Sequence, residues 1–480
     1  MSIKTLITRR KSLQLGLASM GLPLTPGRRL MAQNGDAKNP HFFLNVVISG
    51  GVDVSYLFDA RPLRMTDAGK IQNYLYKNAG ATPVLSDPTP RVMQGTNGRA
   101  TLRSALTDDL AQFQDRFSVI NGILMTTGND FGHGQNMYQL FTNSTVGARE
   151  SFMPYIGEVS GFPLQNIHLG GFEGDGNSAP SNFALAVHFP SPNAIQLGSA
   201  FLNQEKLSAS GKLLNLVERR LGISAQTRPG LYGQGIKEFH AAHLKTPNLS
   251  AALEQTSVDE ATGSKFHMSL KNALNFFKAG MSSSITLMMD MDPVIDVHSP
   301  GNAQDQRNLY TTIIKELTDL FTAMALPYSE EKGQSFLDVT TLMITSEFGR
   351  TTRNPSSPID NTDTDHNPFI NSVILAGRGI KTGQIIGASD LEDVDAAGEI
   401  INVSGAHLQK DKSLVYTMGK PFDFAMGDAV DSLPEQFRAE DYLTIGSVNN
   451  TMMNLFGVPE QRYHRDASGQ RSRLLKNILV

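Results

Sequence analysis

Val339-Thr340-Thr341-Leu342-Met343-Ile344-Thr345, followed at once by Ser346-Glu347-Phe348-Gly349-Arg350, is the stretch on which the fold turns. Its first seven residues are β-branched and apolar, which predicts a buried strand. The polar residues arrive at the strand's C-terminal end, where open α/β sheets gather ligand-binding groups. Working outward, Ser372 to Gly377 predicts the next strand, reached through a polar loop that holds Asp365-His366. On the other side, Leu309, Ile313, Leu317, Leu320 and Phe321 fall at helical spacing, so a helix from about Gln304 to Met324 covers a sheet. Before it come a strand at Ile285 to Met289, a turn with Asp296-Val297-His298, and a helix from about Lys265 to Ala279.

The N-terminal part repeats the pattern. Phe42 to Ile48 predicts a buried strand stopped by Ser49-Gly50-Gly51, with Asp53 just beyond its end. A helix from about Leu102 to Phe113 and a strand from Phe117 to Ile120 follow. Strand and helix alternate without internal repeats, which predicts an α/β fold: three layers, α/β/α, around a mostly parallel sheet. The Gly-, Pro-, Asn- and Ser-rich stretch from about 161 to 253 predicts a loop-rich insertion or cap.

The 480 residues carry 42 basic and 46 acidic groups, a net charge of −4, so no global field exists to hold nucleic acid. Absence of cysteine removes disulfides, thiolate metal sites and cysteine nucleophiles, leaving His and carboxylates as metal ligands. Thr8-Arg9-Arg10-Lys11-Ser12-Leu13 ahead of a mildly apolar run reads as a twin-arginine export signal. The expected layout is a signal over 1–32 with cleavage near Ala32, a linker over 33–40, and one domain over 41–480. Export of the folded chain by the twin-arginine translocase would place it in the periplasm or outside the cell. No run reaches the roughly 18 apolar residues of a spanning helix, so no stable membrane span is expected.

Four sets of ligands thus follow strand-like runs: Asp53, the Asp296/His298 pair, Glu347 and the Asp365/His366 pair. In a parallel sheet such ends gather along one edge. Carboxylate oxygen suits hard divalent cations, and zinc or manganese accepts imidazole as well, so the set can hold one or two ions of Zn, Mn, Mg or Ca. Two ions about 4 Å apart clamp the attacking and leaving oxygens of phosphoryl or sulfuryl transfer. The Met288-Met289 and Met452-Met453 pairs read as core filling. Gly377 to Gly383 lacks the strand-to-helix setting of a dinucleotide loop. His168 and His188 fall in the insertion, where they either line a cleft or, as expected here, take surface positions.

Ser49-Gly50-Gly51-Val52-Asp53, Asp296-Val297-His298, Thr345-Ser346-Glu347-Phe348-Gly349-Arg350-Thr351 and Thr364-Asp365-His366, in this order behind a twin-arginine signal, resemble the bacterial family called domain of unknown function 1501. The resemblance covers nearly the whole mature chain, and it places the chain in the alkaline phosphatase/sulfatase clan. It implies that Asp53 and Glu347 help hold one metal and that Asp296, His298 and His366 hold another. Asp365 then ligates or orients His366. Arg350 either faces substrate oxygens, where its planar fork suits a tetrahedral oxyanion, or forms a structural salt bridge. Asn129 to Gln135 resembles the family's Ser-His stretch before a helix, which makes His133 an active-site residue.

Three positions depart from the family: Gly132 replaces the Ser before that His, Ser55 stands where Asn is usual, and Asn367 where Gly is usual. No nucleophile is assigned; Ser55, Thr126, Thr127 and a metal-activated water are the candidates. Two readings stand open. One is an exported metal-dependent hydrolase acting on phosphate or sulfate esters, small or polymeric. The other is an exported, non-catalytic binding or scaffolding protein that keeps the fold.

Overall fold

The computed structural model describes residues 40–59, 76–79, 82–85, 91–125, 132–144, 151–162, 164–170, 187–189, 264–289, 303–351, 365–389, 393–394, 400–402, 418–430, 438–465 and 469–480. The strands of the larger sheets are β1 (Phe42–Ile48), β2 (Phe117–Ile120), β3 (Ile167–Leu169), β4 (Val187–Phe189), β5 (Ser284–Met289), β6 (Thr340–Ser346), β7 (Val373–Gly377) and β8 (Ile385–Ile386). The longer helices are α1 (His133–Thr142), α2 (Phe152–Ser160), α3 (Lys265–Lys278), α4 (Ala303–Met324) and α5 (Ile445–Leu455). Contacts divide the chain into two compact units, Met1–Phe43 with Met153–Met288, and Leu44–Phe152 with Met289–Val480.

In the second unit the strand order is β8-β2-β7-β6-β1. β8 runs parallel to β2, whereas β7 runs antiparallel to both β2 and β6. A parallel bridge joins Val52 to Gly349 just past the ends of β1 and β6, so these two strands point the same way. The sheet is therefore mostly parallel with β7 reversed, and the fold is α/β as the alternation of strands and helices predicts. Every residue of β1 and of β6 is buried. A strand covered on both faces shows no in-and-out alternation, and here β1 is apolar except for Asn45, while the apolar centre of β6, Leu342 to Ile344, is flanked by buried hydroxyl residues. Helix α4 supplies part of the cover: Phe321 packs 5.4 Å from Phe117 and 5.5 Å from Phe113, ring centre to ring centre. Its predicted stripe of Leu309, Ile313, Leu317, Leu320 and Phe321 is buried.

In the first unit β3 lies between β4 and β5, parallel to both. Phe42 stacks on Phe277 of α3 at 4.5 Å, and Phe43 N–H donates to the Ser283 carbonyl at 2.7 Å. Here one expectation is corrected: His168 is not at the surface but in β3, 1% exposed and opposite Thr286. Three strand residues among turn formers are too few to show a period, so this strand is hidden from sequence reading. The backbone of His188 lies in β4, in register with His168. Most of the predicted cap over 161–253, the signal over 1–32 and all of the linker over 33–40 except Pro40 fall outside the described residues.

The helix expected from Leu102 to Phe113 is also corrected. The chain stays extended through Ala100–Arg103, paired with Arg91–Gln94, and only Asp108–Ala111 is α-helical. Ser104 decides this: its hydroxyl accepts from Leu106 N–H at 3.2 Å and opens a short 3₁₀ turn, Ala105–Thr107. The helical spacing of Leu106 and Leu110 is real but spans little more than a turn.

Candidate active site

The C-terminal end of β6 meets the loop after β1 through a dense set of hydrogen bonds, all within the second unit. Val52 N–H donates to the Phe348 carbonyl at 3.1 Å and also reaches Ser346 Oγ at 3.2 Å. Ser346 Oγ lies 2.8 Å from the Ile48 carbonyl and 3.0 Å from Glu347 Oε2. Glu347 is fully buried, and its Oε1 accepts from Gly50 N–H at 2.8 Å. The same oxygen lies 2.9 Å from His133 Nδ1, at the first residue of α1. Gly132 is the N-cap of that helix, extended at φ −76°, ψ 146°. Its carbonyl accepts from Asn136 N–H at 3.0 Å, so the turn that presents His133 closes without a capping hydroxyl.

The imidazole of His133 meets that of His366 edge-on, with ring centres 4.3 Å apart. Phe348 touches both, 4.9 Å from His133 and 4.4 Å from His366. His366 is placed by a two-residue ribbon in which Gly349–Arg350 pairs antiparallel with His366–Asn367. Asp365 holds the entry to that ribbon. Its N–H donates to Thr351 Oγ1 at 2.8 Å, and its Oδ1 accepts from His366 N–H at 2.8 Å.

Arg350, 4% exposed, directs Nε to the Gly51 carbonyl at 3.2 Å and Nη2 to the Gly50 carbonyl at 2.7 Å. Its charge is thus spent in part on tying the β1 loop to β6. Asp53 lies at the end of that loop. Its Oδ1 accepts from Ser55 N–H at 3.1 Å and from Ser55 Oγ at 2.5 Å, and its own N–H donates to the Tyr310 hydroxyl at 2.7 Å. Ser55 is fully buried with its hydroxyl turned onto Asp53.

The structure therefore gathers Asp53, His133, Glu347, Arg350, Asp365 and His366 at one sheet edge. Asp296, His298, Thr126 and Thr127 lie outside the described residues. Sequence reading missed Tyr310 and Ser346. Tyr310 neighbours the apolar stripe of α4, and a buried phenol needs a hydrogen-bond partner for its hydroxyl, which is the signal that would have found it. Burial first, and then the charge of Asp53, push the Tyr310 phenol well above its ordinary value, while Arg350 pulls the other way.

Electrostatics set the state of Glu347. Burial pushes its carboxyl up, but the hydrogen bond and charge of His133, with backbone N–H groups including that of Gly50, outweigh it and hold the group below its ordinary 4.5. A carboxylate depressed in this way contributes stability that is complete above the unfolded value and is lost as pH falls through the folded one. Denaturant melts of chelator-treated protein between about pH 6 and pH 3 should show stability falling with acid, and the slope should flatten in Glu347→Gln. An unchanged slope would remove Glu347 from the acid-labile groups.

The donor chemistry at this edge suits a divalent cation. A His whose Nδ1 is held by a carboxylate has its tautomer and orientation fixed, which is how protein imidazoles are prepared to ligate through Nε2. Among the described residues no group of three His, Asp or Glu side chains comes together closely enough to hold an ion alone.

A model of the family described as protein of unknown function (DUF1501) matches residues 296–420, a span that contains Asp296, His298, Glu347, Arg350, Asp365 and His366. No curated protein matches the chain in sequence. Among solved structures, the chain is similar to the lipoteichoic acid synthase LtaP from Listeria monocytogenes, at 10% identity over 78% of this chain and 74% of that one, with a TM-score of 0.33. It is also similar to Ps i-CgsB, solved in complex with k-i-k-neocarrahexaose, at 8% identity over 89% of this chain and 74% of that one, with a TM-score of 0.35.

Proposed function

We propose that the chain is a metal-dependent hydrolase of phosphate or sulfate esters that leaves the cytoplasm folded, by the twin-arginine route. The observation that carries this reading is the buried, ionised Glu347 paired with His133, with His366 edge-on to that imidazole, at the end of two parallel strands. Asp53, Asp296, His298, Glu347 and His366 are the proposed metal ligands, and Asp365 fixes the backbone of His366. A bound divalent ion would supply Lewis-acid stabilisation of charge building on the ester oxygens. Glu347 keeps the His133 imidazole oriented, so Nε2 is the atom at which His133 would move a proton. Phe348 walls both imidazoles on one side and excludes water there, which strengthens their electrostatic effect. Among the described residues no helix is long and apolar enough to cross a membrane.

Two features favour the second reading, a binding protein that keeps the fold without turnover. Arg350 contacts its own chain's carbonyls rather than facing outward, and the Ser55 hydroxyl is engaged by Asp53. Metal content of untagged protein, set against a His298→Ala/His366→Ala variant, separates the two. Near-stoichiometric zinc, manganese or calcium that disappears in the variant is the expected result, with hydrolysis of a phosphate or sulfate ester falling at least about 100-fold in His366→Ala. Absence of metal after reconstitution would overturn the hydrolase and leave the binding protein.

A further inference from the structure

We infer that Tyr310 is a positioning residue for Asp53, acting through its hydroxyl. The inference rests on the reading of Asp53 as a metal ligand. Past Ser49, whose N–H still meets the Met289 carbonyl at 3.3 Å, the loop after β1 leaves the regular sheet ladder, so its backbone groups need partners from elsewhere. Gly50 N–H finds Glu347, the Gly50 and Gly51 carbonyls find Arg350, and Val52 N–H finds the Phe348 carbonyl. All of these come from the segment that ends β6. Asp53 N–H differs from these, because its acceptor is the Tyr310 oxygen at 2.7 Å on α4.

That oxygen is itself fixed. Tyr310 is 3% exposed, and its ring stacks on Tyr56 at 4.2 Å with the planes only 5° apart. Tyr56 closes the short 3₁₀ turn, Val54–Tyr56, that Asp53 caps. The two ends of this turn are therefore gripped by one side chain, Asp53 through the hydroxyl and Tyr56 through the ring. With Ser55 holding Oδ1, the main chain and the carboxylate of Asp53 are both tied, which fixes the direction the carboxylate presents. The sequence adds a reason for the tie to come from α4: the Asp296-Val297-His298 segment lies four residues before that helix begins. Tyr310 thus joins the element that follows one proposed ligand pair to the turn that carries another.

Tyr310→Phe keeps the ring and its stack and removes only the oxygen. Manganese or zinc titrated into metal-free, full-length protein should bind about 10-fold more weakly in this variant, the scale seen when a partner that orients a metal ligand is lost. The melting temperature should stay close to that of the parent. Amide hydrogen exchange in the metal-free protein should be faster at Asp53 and the residues of its turn. Tyr310→Leu, which loses the ring as well, should add a fall in melting temperature. A parent that binds metal while Tyr310→Phe binds it equally well, with unchanged exchange at Asp53, overturns the positioning role and leaves the proposed function standing. A parent that takes up no metal overturns the proposed function and this inference together.

Discussion

Glu347→Ala is expected to lower folding stability by about 3 kcal/mol, read as a lower denaturant midpoint at unchanged slope. The figure follows from what the carboxylate holds. Oε1 accepts from Gly50 N–H and His133, Oε2 lies against Ser346 Oγ, and the side chain is fully buried. Truncation orphans a buried backbone donor at Gly50 and leaves a small cavity at the end of β6. Ser346 is spared, because its hydroxyl can turn to the Ile48 carbonyl. His133 is 30% exposed and can be rescued in part by water, which keeps the loss at the lower end of the range for breaking a buried pair. Glu347→Gln should cost roughly 1 kcal/mol, since the amide oxygen can still accept from Gly50 and the amide nitrogen can donate to Ser346 Oγ. Equal stability of Glu347→Ala and the parent would mean that solvent already satisfies these groups, and the description of Glu347 as the buried tie between β1, β6 and α1 would fall.

The same residue shows how far sequence carries the reading. Glu347 was legible because it follows a run of β-branched and apolar residues that reads as a strand, and strand ends gather at one edge. Asp53 was legible because it follows the β1 run, and His366 because it sits with Asp365 in the polar loop between two predicted strands; the structure brings both near Glu347. What position could not give is how the polar groups divide their bonds. Arg350 has a guanidinium suited to an oxyanion, yet two of its nitrogens face the Gly50 and Gly51 carbonyls. That outcome depends on the path of a loop nearly 300 residues away, which no local pattern encodes. Reversal of β7 was hidden likewise, because a buried strand has the same composition in either direction. The short strand at His168 and the end of the Leu102 helix failed through length, since three or four residues do not establish a period. Tyr310 was overlooked because a phenol beside an apolar stripe passes for core until its hydroxyl's partner is known.

Gly51→Ala is expected to destabilise by roughly 3 kcal/mol and to weaken binding at the proposed metal site as well. Two causes contribute, and one control separates them. Gly51 sits at φ +76°, where a Cβ carries backbone strain of about 1–2 kcal/mol. The added Cβ would also lie 2.1 Å from Cε2 of Phe348, a ring that is fully buried and cannot swing aside without moving its neighbours. Overpacking of that kind costs typically about 1–3 kcal/mol. Gly98 has nearly the same φ, +77°, but a Cβ there meets nothing within 4 Å. Gly98→Ala should therefore lose only the backbone part, and the difference between the two variants measures the contact with Phe348. The functional consequence follows from the same ring. Phe348 packs on His133 and His366, so a displacement forced by a methyl group at Gly51 shifts both imidazoles. Metal affinity should fall in Gly51→Ala and stay at the parent value in Gly98→Ala. Equal losses of stability in the two variants would show that Phe348 yields freely, and would sink the view that it wedges the imidazoles in place.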